Sequence, residues 1–489
     1  MLPPLRSHEQ YLQFLSDQLD AISVPKAHQD VPEKLAILDL TPIRLLVLDL
    51  YNTDTGRPAF APEDMLRTFI AMLFCGITSP TVWVEGYLKD SSGFYAIISG
   101  FVPEAVPSVG AMYQFIDRLM QLPRYCKQQH IRKKRKRLTK KQKQKLKEDK
   151  IKVTKRHVGI VAKLAARFER IAKNAQEVYV SKEEAMANAI LDCCCLTESQ
   201  RRQLLDKSHL FVSGDGTKLP VHGSRHGKKV CDCDTRNCDC HRFYSAKEAS
   251  VGYDSHRECY VYGHSLYQLT SFSTTHTSEL PVYLLMTTGA RHDSVSGSFA
   301  MNRATQHITI DKGCFDTAHD ATAFYQMADG LWQTEVFIPL NPTNTGNFYQ
   351  TPIATLGPGG IPICADNREM YYSGYCKDRD RQKWRCPLKA TKKGETGECK
   401  CSTSDYGRVV YTHPKTNQRL FPQTPRKTPA WKGFYQHRTS AERVFKREKL
   451  DFLLSQFKTR SKARHLFYAL LTAIAVHVET WHRLDTSAA

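Results

Sequence analysis

The segment from residue 209 to residue 340 constrains the fold more than any other part of the chain. Its apolar residues follow a strand pattern three times in succession, and further strand patterns then alternate with helical ones at about 296–306 and 320–330. Three successive strands suit antiparallel pairing, and strands joined through a helix suit parallel pairing. The predicted strands are 209–219, 260–270, 280–287, 307–311 (running on towards Asp316) and 335–340.

The order β-β-β-α-β-α-β predicts an α/β fold with a mixed five-stranded sheet and helices on both sides. It is the order of a ribonuclease-H-like domain, with residues 208–342 as the first part. Residues 343–430 are rich in Gly, Pro, Cys and charge, and short strand-like pieces such as 407–413 predict a β-rich insertion. Helical patterns return at about Gln436, so residues 431–489 are predicted to supply the C-terminal helices of the same domain.

Two helical regions precede the predicted sheet. Residues 1–125 predict a helical N-terminal domain, in which the clearest helix has Pro62 in its first turn, with Glu63 and Asp64 near the positive helix end. Residues 126–207 predict a basic helical linker or DNA-binding segment. Such a charge run is either a solvated face or a surface that contacts phosphates. The residues predicted to contact DNA here are Arg132, Lys133, Lys134, Arg135, Lys136 and Arg137.

The net charge indicates the class of partner. The chain has 70 Lys and Arg against 49 Asp and Glu, a formal net charge of +21, which favours polyanions such as nucleic acid. A membrane span is not expected, because the longest apolar stretch, 466–478, falls short of about 20 residues and contains Thr472 and His477. The first residues lack the apolar segment of a secretory signal, so the predicted compartment is the cytosol.

Two aspartates follow predicted strands that lie side by side at the centre of the sheet. Asp215 lies in the glycine-flanked turn into which the apolar part of the first strand runs, and Asp316 follows the fourth strand. Two carboxylates at one sheet edge repel each other unless a divalent cation neutralises them, and hard oxygen ligands suit Mg²⁺ or Mn²⁺. A single aspartate after a strand more often forms a turn, so this interpretation needs a third acid.

The third acid is Glu442, in the helical pattern of residues 434–450. On one α-helix, Tyr435, Arg438, Glu442 and Lys449 fall within an arc of about 60°. A glutamate beside an arginine on a helix is usually a surface ion pair. A stripe with one acid, two bases and a phenol is not a core face, however, and it suits a helix with its acid on a metal and its cations on phosphates.

These motifs resemble those of a known family. The chain is similar to bacterial insertion-sequence transposases of the DDE type, in the group with a β-rich insertion and the signature Tyr-x2-Arg-x3-Glu-x6-Lys (YREK). Residues 56–66 also resemble the helical N-terminal domain common in such transposases. His319 departs from the family pattern, which often has an aromatic or small residue at that position. The matching positions are Asp215 for the first acid, Asp316 with Asp320 as the outer residue for Asp-x3-Asp, and Tyr435, Arg438, Glu442 and Lys449 for the signature.

The resemblance implies a DNA transposase that cleaves transposon ends by phosphodiester hydrolysis and transfers the 3′-hydroxyl end to target DNA. Asp215, Asp316 and Glu442 would be the catalytic residues and would hold two Mg²⁺ (or Mn²⁺) ions about 3.5–4 Å apart. Tyr435 and Lys449, with Arg438, would contact DNA phosphates. The implied partners are double-stranded DNA (terminal repeats and target) and a second copy of the chain, as a homodimer on DNA. The implied compartment is the bacterial cytoplasm, with nucleoid association when bound to DNA.

Two groups of cysteines suggest a further metal. Thiolates in fours are typical of structural zinc sites, although Cys-x-Cys is tighter than the usual spacing, and free thiols are the alternative. The candidate zinc ligands are Cys231, Cys233, Cys238, Cys240 and His241 in the first group, and Cys376, Cys386, Cys399 and Cys401 in the second.

Three other functions fit part of the sequence. The first is a ribonuclease-H-like nuclease that cuts DNA without strand transfer. The second is a catalytically silent, transposase-derived DNA-binding protein, for which three intact acids have no obvious use. The third is a zinc-stabilised RNA-binding protein, which explains the charge and the cysteines but leaves the acids unexplained.

Overall fold

The computed structural model describes residues 2–488 except 21, 53–57, 135–138, 143, 146–147, 149–158, 236–237, 256, 274–277, 342–354, 358 and 391–400. The described α-helices are α1 (His8–Leu19), α2 (Val31–Ala36), α3 (Ile43–Val47), α4 (Pro62–Phe74), α5 (Pro80–Trp83), α6 (Phe94–Ile98), α7 (Val109–Leu119), α8 (Ile160–Lys173), α9 (Lys182–Leu191), α10 (Thr197–Arg201), α11 (Asp293–Ala304), α12 (Thr322–Met327), α13 (Pro429–Tyr435), α14 (Thr439–Leu450) and α15 (Lys462–Ala488). The described strands are β1 (Ile131–Arg132), β2 (Leu210–Pro220), β3 (Lys228–Lys229), β4 (Arg242–Phe243), β5 (Ser250–Asp254), β6 (Cys259–Phe272), β7 (Glu279–Thr288), β8 (Ile310–Phe315), β9 (Glu335–Phe337), β10 (Thr355–Leu356), β11 (Pro362–Ile363), β12 (Tyr371–Cys376), β13 (Arg381–Arg385) and β14 (Val409–Thr412).

The helices before the first long strand begin where the sequence supplies a cap or a proline. Ser7 caps α1, because its hydroxyl accepts from the backbone N–H of Gln10 at 3.2 Å and the Gln10 side chain accepts from the Ser7 N–H at 2.8 Å. The helix α4 begins at Pro62 and α7 is capped by Ser108. The helical character predicted for the N-terminal region is confirmed.

The central sheet is mixed, and its α/β character is confirmed. Strand β2 pairs antiparallel with β6 on one side and parallel with β8 on the other, and β8 pairs parallel with β9. Strands β7 and β5 lie end to end along the other edge of β6, both antiparallel to it. The sheet therefore has six strands instead of the predicted five. The additional one, β5, has five residues including Gly252, too short a pattern to be predicted.

Helices cover both faces of this sheet. Alternate residues of a strand share a face, so Ser213, Asp215 and Thr217 of β2 point the same way. The Ser213 hydroxyl donates to the Arg438 carbonyl oxygen at 2.6 Å, and the Lys449 ammonium donates to Thr217. Helix α14 therefore covers the face on which Asp215 lies, while α11 contacts β2 and β6 from the opposite face.

One apolar core joins the N-terminal helices to the sheet and to α15. The stretch 466–478 of α15 is buried in this core. Its most polar side chain, His477, is satisfied there because its ring nitrogens bond to the Ser199 hydroxyl and the Pro281 carbonyl, each at 2.8 Å. Within the described ranges, no helix is both long and apolar enough to cross a membrane.

A second set of strands lies between β9 and α13. Strands β12, β13 and β14 form a three-stranded antiparallel sheet, and β10 pairs with β11. Ile361, Met370, Trp384 and Val410 form a small core of their own here. The described part of this stretch is thus rich in strands, as predicted, while its status as an insertion into a ribonuclease-H-like domain stays a prediction.

A third small sheet connects the basic segment to the chain that follows β2. Strand β4 lies in its centre, with β1 and β3 antiparallel on either side. Arg132 is therefore in a strand and not in the helical linker predicted for it, because its backbone pairs with Arg242. The helices predicted further along this segment are present as α8, α9 and α10.

Candidate functional site

Asp215 lies in the middle of β2, whereas the sequence suggested a turn at the end of a strand. The strand continues because β6 pairs with it along this stretch, with Asp215 opposite Gln268. The flanking glycines serve close packing rather than a turn. A Cβ on Gly214 or Gly216 would overlap neighbouring side chains, in the second case the Asp293 carboxylate. The glycines thus allow a continuous strand to carry Asp215 through a crowded part of the sheet.

Asp316 lies beside Asp215, as predicted. It follows β8 directly, and β8 is the parallel neighbour of β2, with Gly214 level with Phe315. The next residue of each strand is an aspartate, so the two carboxyl groups leave neighbouring backbones at the same height. The sheet register therefore brings together two of the three predicted acids.

A hydrogen-bonded chain orients the Asp316 carboxylate. His319 is fully buried, and its Nδ1 donates to Asp316 Oδ1 at 2.6 Å while its Nε2 lies 2.8 Å from the Tyr267 hydroxyl, which donates to it in the neutral tautomer. Burial opposes ionisation of Asp316, but the His319 hydrogen bond and charge, with a backbone N–H from Ala318, lower the pKa of this carboxyl overall. His319, which departs from the family pattern, thus has a role in this site that sequence reasoning missed.

Glu442 lies in the first turn of α14, over the same face of the sheet as Asp215. Its side chain is exposed, and Arg438 donates to its Oε1 at 2.6 Å. The single α-helix predicted from Tyr435 to Lys449 is wrong, because α13 ends at Tyr435 and a short 3₁₀ turn, Gln436–Arg438, precedes α14. The change of direction still leaves Arg438 and Glu442 in contact.

The two remaining residues of the stripe reach the same face. Tyr435 is half-buried and stacks on Trp431 with ring centroids 4.5 Å apart, and burial raises the pKa of its phenol, so it is a hydrogen-bond donor at neutral pH. Lys449 donates to Thr217, two residues beyond Asp215 on β2. Burial, with a contribution from Arg257, lowers the pKa of its ammonium group.

The carboxylates act on one another. Burial raises the pKa of Asp215 to about 7; a hydrogen bond from the Gly216 N–H opposes this rise, and the charges of Asp316, Asp293 and Glu442 add to it. The register of β2 and β8 and the position of α14 put Asp215, Asp316 and Glu442 on the same face of the sheet. The site therefore has an excess of negative charge that a divalent cation would neutralise.

Asp293 is a fourth carboxylate near the site that the sequence did not single out. It begins α11 on the opposite face, and its Oδ1 is buried without a hydrogen-bond partner among the described residues. Lys218 Nζ lies 3.9 Å from it, too far for a hydrogen bond. Its signal in the sequence, an acid at a helix start after a strand, is shared by many capping residues. No three of these four acids have carboxylate oxygens close enough together to share a metal ion in this structure, and Asp293 lies on the opposite face of the sheet from Asp215.

Asp320, the outer residue of the predicted Asp-x3-Asp motif, has a structural position. It is buried and forms a two-pronged ion pair with Arg419, with N–O distances of 2.9 and 2.6 Å. It also accepts from the backbone N–H of Asn341 at 2.8 Å. These bonds hold the chain before α13 and the chain after β9 against the turn that carries Asp316.

The predicted DNA-contacting run is described only in its first half. Arg132 and Lys133 are exposed, and Lys134 is half-buried, with its Nζ 3.3 Å from the Cys238 carbonyl oxygen. Residues Arg135, Lys136 and Arg137 lie outside the described residues, so for them DNA contact stays a prediction.

The first cysteine group comes together and the second does not. The thiol sulfurs of Cys231, Cys233, Cys238 and Cys240 all lie within 4.8 Å of one another, so this cluster can hold a metal ion such as zinc. The predicted ligand His241 is not part of it. Among the described residues no other group of three or more metal-ligand side chains is close enough, which leaves Cys376, Cys386 and Cys401 without support as ligands. Cys399 lies outside the described residues.

Comparison with models of known protein families gave no match, and comparison with curated proteins gave none either.

Proposed function

We propose that this protein is a DNA transposase of the DDE type, with a ribonuclease-H-like catalytic domain interrupted by the strands β10–β14. The observation that carries the proposal is the register of β2 and β8, which sets Asp215 level with Asp316 on neighbouring parallel strands, with Glu442 of α14 over the same face. The strand order β7-β6-β2-β8-β9 supports it, since the first and second acids come from the two central strands. The third acid comes from a helix that follows the second set of strands.

Asp215, Asp316 and Glu442 would hold Mg²⁺ or Mn²⁺, and Asp293 lies near enough to affect their charge. Such ions, when bound, supply positive charge to the attacking and leaving oxygens of an in-line displacement. In the cleavage step the oxygen of a water molecule bonds to phosphorus as that water loses a proton, the phosphorus–O3′ bond breaks, and the leaving 3′ oxygen takes up a proton to become a hydroxyl. In the transfer step that hydroxyl attacks a phosphate of the target, whose own O3′ leaves.

The residues of the stripe would hold the phosphates next to the cut. Arg438 is paired with Glu442 in this structure, and a guanidinium has enough donors to keep that bond and donate to a phosphate oxygen as well. Tyr435 keeps its proton and can donate one hydrogen bond. Lys449, anchored at Thr217, adds a positive charge from the other end of α14.

His319 and Tyr267 would fix the position of Asp316 without touching DNA. The imidazole keeps Asp316 ionised and limits the directions in which its oxygens point. This is the usual arrangement behind a metal-binding carboxylate, where a partner one bond away sets the orientation of the ligand.

The test is incubation of the purified protein with DNA from the two flanks of its gene, with and without Mg²⁺, followed by separation of cut and joined products. We expect both products, both dependent on Mg²⁺. Glu442→Gln should bind the same DNA with unchanged affinity and form neither product, because the amide is a poor metal ligand. Full cleavage by Glu442→Gln would remove Glu442 from the site and refute the proposal.

Glu279→Gln is the matched control. Glu279 of β7 forms an ion pair with Arg443, which lies on α14 next to Glu442. The substitution therefore perturbs the docking of α14 while leaving the acids intact. It should cleave like the wild type. Cut products without joined ones would reassign the protein to a nuclease of the same fold, and DNA binding with neither product would indicate a silent, transposase-derived binding protein.

A further inference from the structure

The four-cysteine cluster is built by a pair of short strands. Cys231 and Cys233 follow β3, and Cys238 and Cys240 precede β4, which is antiparallel to β3. The two Cys-x-Cys arms therefore face each other. The Sγ atoms of Cys231 and Cys238 are 3.5 Å apart, and those of Cys233 and Cys240 are 3.3 Å apart. Two close sulfur pairs held by a β-ladder make a compact set of four donors.

The sulfur geometry fits a metal better than disulfides. A disulfide needs sulfurs about 2.0 Å apart, much closer than the observed pairs. Four thiolates around zinc at about 2.3 Å in a tetrahedron lie about 3.8 Å from one another, and the cluster keeps all four sulfurs within 4.8 Å. The two closest sulfur pairs would widen slightly around an ion to complete that arrangement.

Positive side chains surround the cluster. Arg242 donates to Cys238 Sγ at 3.4 Å, Lys134 donates to the Cys238 carbonyl oxygen at 3.3 Å, and Lys229 donates to the Cys233 carbonyl oxygen. Four thiolates with one Zn²⁺ carry a net charge of −2, so these three cations balance the charge of a loaded site. Donors around the sulfurs are the outer contacts that stabilise such sites.

We propose that these four cysteines bind one Zn²⁺ and that the ion holds together a basic sheet, β1-β4-β3, that contacts the DNA backbone. Strands of two residues are too short to be stable alone, so the sheet needs the additional link that a metal supplies. The exposed cations that it presents are Arg132, Lys133, Arg225, Lys228 and Lys229.

The sheet also positions the start of the basic run. His130 Nδ1 lies 2.9 Å from the Tyr244 carbonyl oxygen, and the Tyr244 N–H donates to the His130 carbonyl oxygen at 2.9 Å. Lys247 donates to the Gln129 side chain at 2.9 Å. The chain before Arg132 is therefore fastened to the residues after β4, and ordering β4 through the metal orders both strands on which the cations lie.

The metal part of this proposal is independent of the proposed function, whereas the DNA part rests on it. The first experiment measures metals in the purified full chain by inductively coupled plasma mass spectrometry. We expect one zinc per chain in the wild type and none in the double variant Cys231→Ser/Cys238→Ser. The control Cys259→Ser changes an exposed cysteine outside the cluster and should keep one zinc. Absence of zinc from the wild type, iron in its place, or zinc retained by the double variant would overturn the proposal.

The second experiment measures binding to a duplex of arbitrary sequence as a function of salt. Each lost phosphate contact lowers the slope of log K against log salt by about 0.9. For Cys231→Ser/Cys238→Ser we expect the slope of log K against log salt to be smaller in magnitude by about 3. Lys133→Gln/Lys228→Gln leaves the cysteines in place. Its slope of log K against log salt should be smaller in magnitude by about 2, and it should keep its zinc. A control of equal charge, Lys26→Gln/Lys89→Gln, changes two exposed lysines between the N-terminal helices and should keep the wild-type slope.

The lysine variant keeps the test decisive even if the cysteine variant fails to fold. An unchanged slope in the zinc-loaded lysine variant would overturn the DNA part. Zinc-dependent DNA binding without any cleavage would contradict the proposed function and leave this inference standing. Cleavage by a chain that contains no zinc would contradict this inference and leave the proposed function standing.

Discussion

Asp215→Asn should stabilise the metal-free protein, although it removes a residue assigned to catalysis. The Asp215 carboxyl group has a pKa raised from 3.8 to about 7, so the folded state binds a proton more tightly than the unfolded state does. Stability of the wild type therefore falls as the pH rises from about 4 to 7 and is level above that. Asparagine carries no charge at any pH, so the variant does not lose stability through this group as the pH rises.

The size of the effect follows from the same shift. A tenfold change in proton affinity corresponds to about 1.4 kcal/mol, so full ionisation of Asp215 costs at most about 4 kcal/mol above pH 7. The side chain keeps some solvent exposure, which screens part of the repulsion, and we therefore expect about 2–4 kcal/mol. With an unfolding entropy of about 2.1 cal/mol/K per residue over 489 residues, this is a rise in Tm of about 2–4 °C.

The assay is thermal unfolding in a chelator at pH 8 and pH 5, with the exposed Asp329→Asn as control. The gain of Asp215→Asn should be less than half as large at pH 5, where the wild-type carboxyl is mostly protonated. Adding Mg²⁺ at pH 8 should raise the Tm of the wild type and leave that of Asp215→Asn nearly unchanged. A lower Tm for the variant at pH 8, or an equal response of both proteins to Mg²⁺, would refute the reasoning.

Three more substitutions test neighbouring groups. Burial raises the pKa of Glu448 to about 8, against a smaller lowering by the neighbouring Gln268 side chain, so Glu448→Gln should raise the Tm by more at pH 8 than at pH 5. His319→Asn should raise the Mg²⁺ concentration for half-maximal cleavage about 10–100-fold, because Asp316 loses its orienting partner. Asp320→Ala should cost about 3–5 kcal/mol, measured by thermal unfolding, since it leaves Arg419 buried without that ion pair; a cost below 1 kcal/mol would contradict this role.

The elements that could be predicted are those whose own residues carry the signal. Strands β6 and β7 are long and apolar, α4 has a proline in its first turn, and Ser108 caps α7, so each is visible in a short window of sequence. Their order predicted the mixed sheet. The acids Asp215 and Asp316 could be placed side by side because the first and fourth strands are neighbours in the topology predicted from that order.

The features that could not be predicted depend on partners distant in sequence. Gly-Asp-Gly-Thr has the composition of a turn, and only pairing with β6 makes it strand. Strands β1, β3 and β4 have two residues each, too few for any period to show. The 3₁₀ turn at Gln436–Arg438, which separates α13 from α14, could not be predicted, because a helical wheel assumes one straight helix axis. The partners of His319 and Asp320 lie 52 and 99 residues away.

In the proposed transposase, the distribution of charge would separate DNA binding from DNA cleavage. The chain as a whole is strongly basic, and exposed cations such as Lys133 and Lys228 attract phosphates whether or not a divalent cation is bound at the acids. The acids around Asp215 do the opposite, because unneutralised carboxylates repel the phosphate that must be cut. A divalent cation removes that repulsion locally and contributes little to the attraction elsewhere. Binding should therefore depend mainly on monovalent salt and cleavage on Mg²⁺, and this division follows from where the charges lie in the fold.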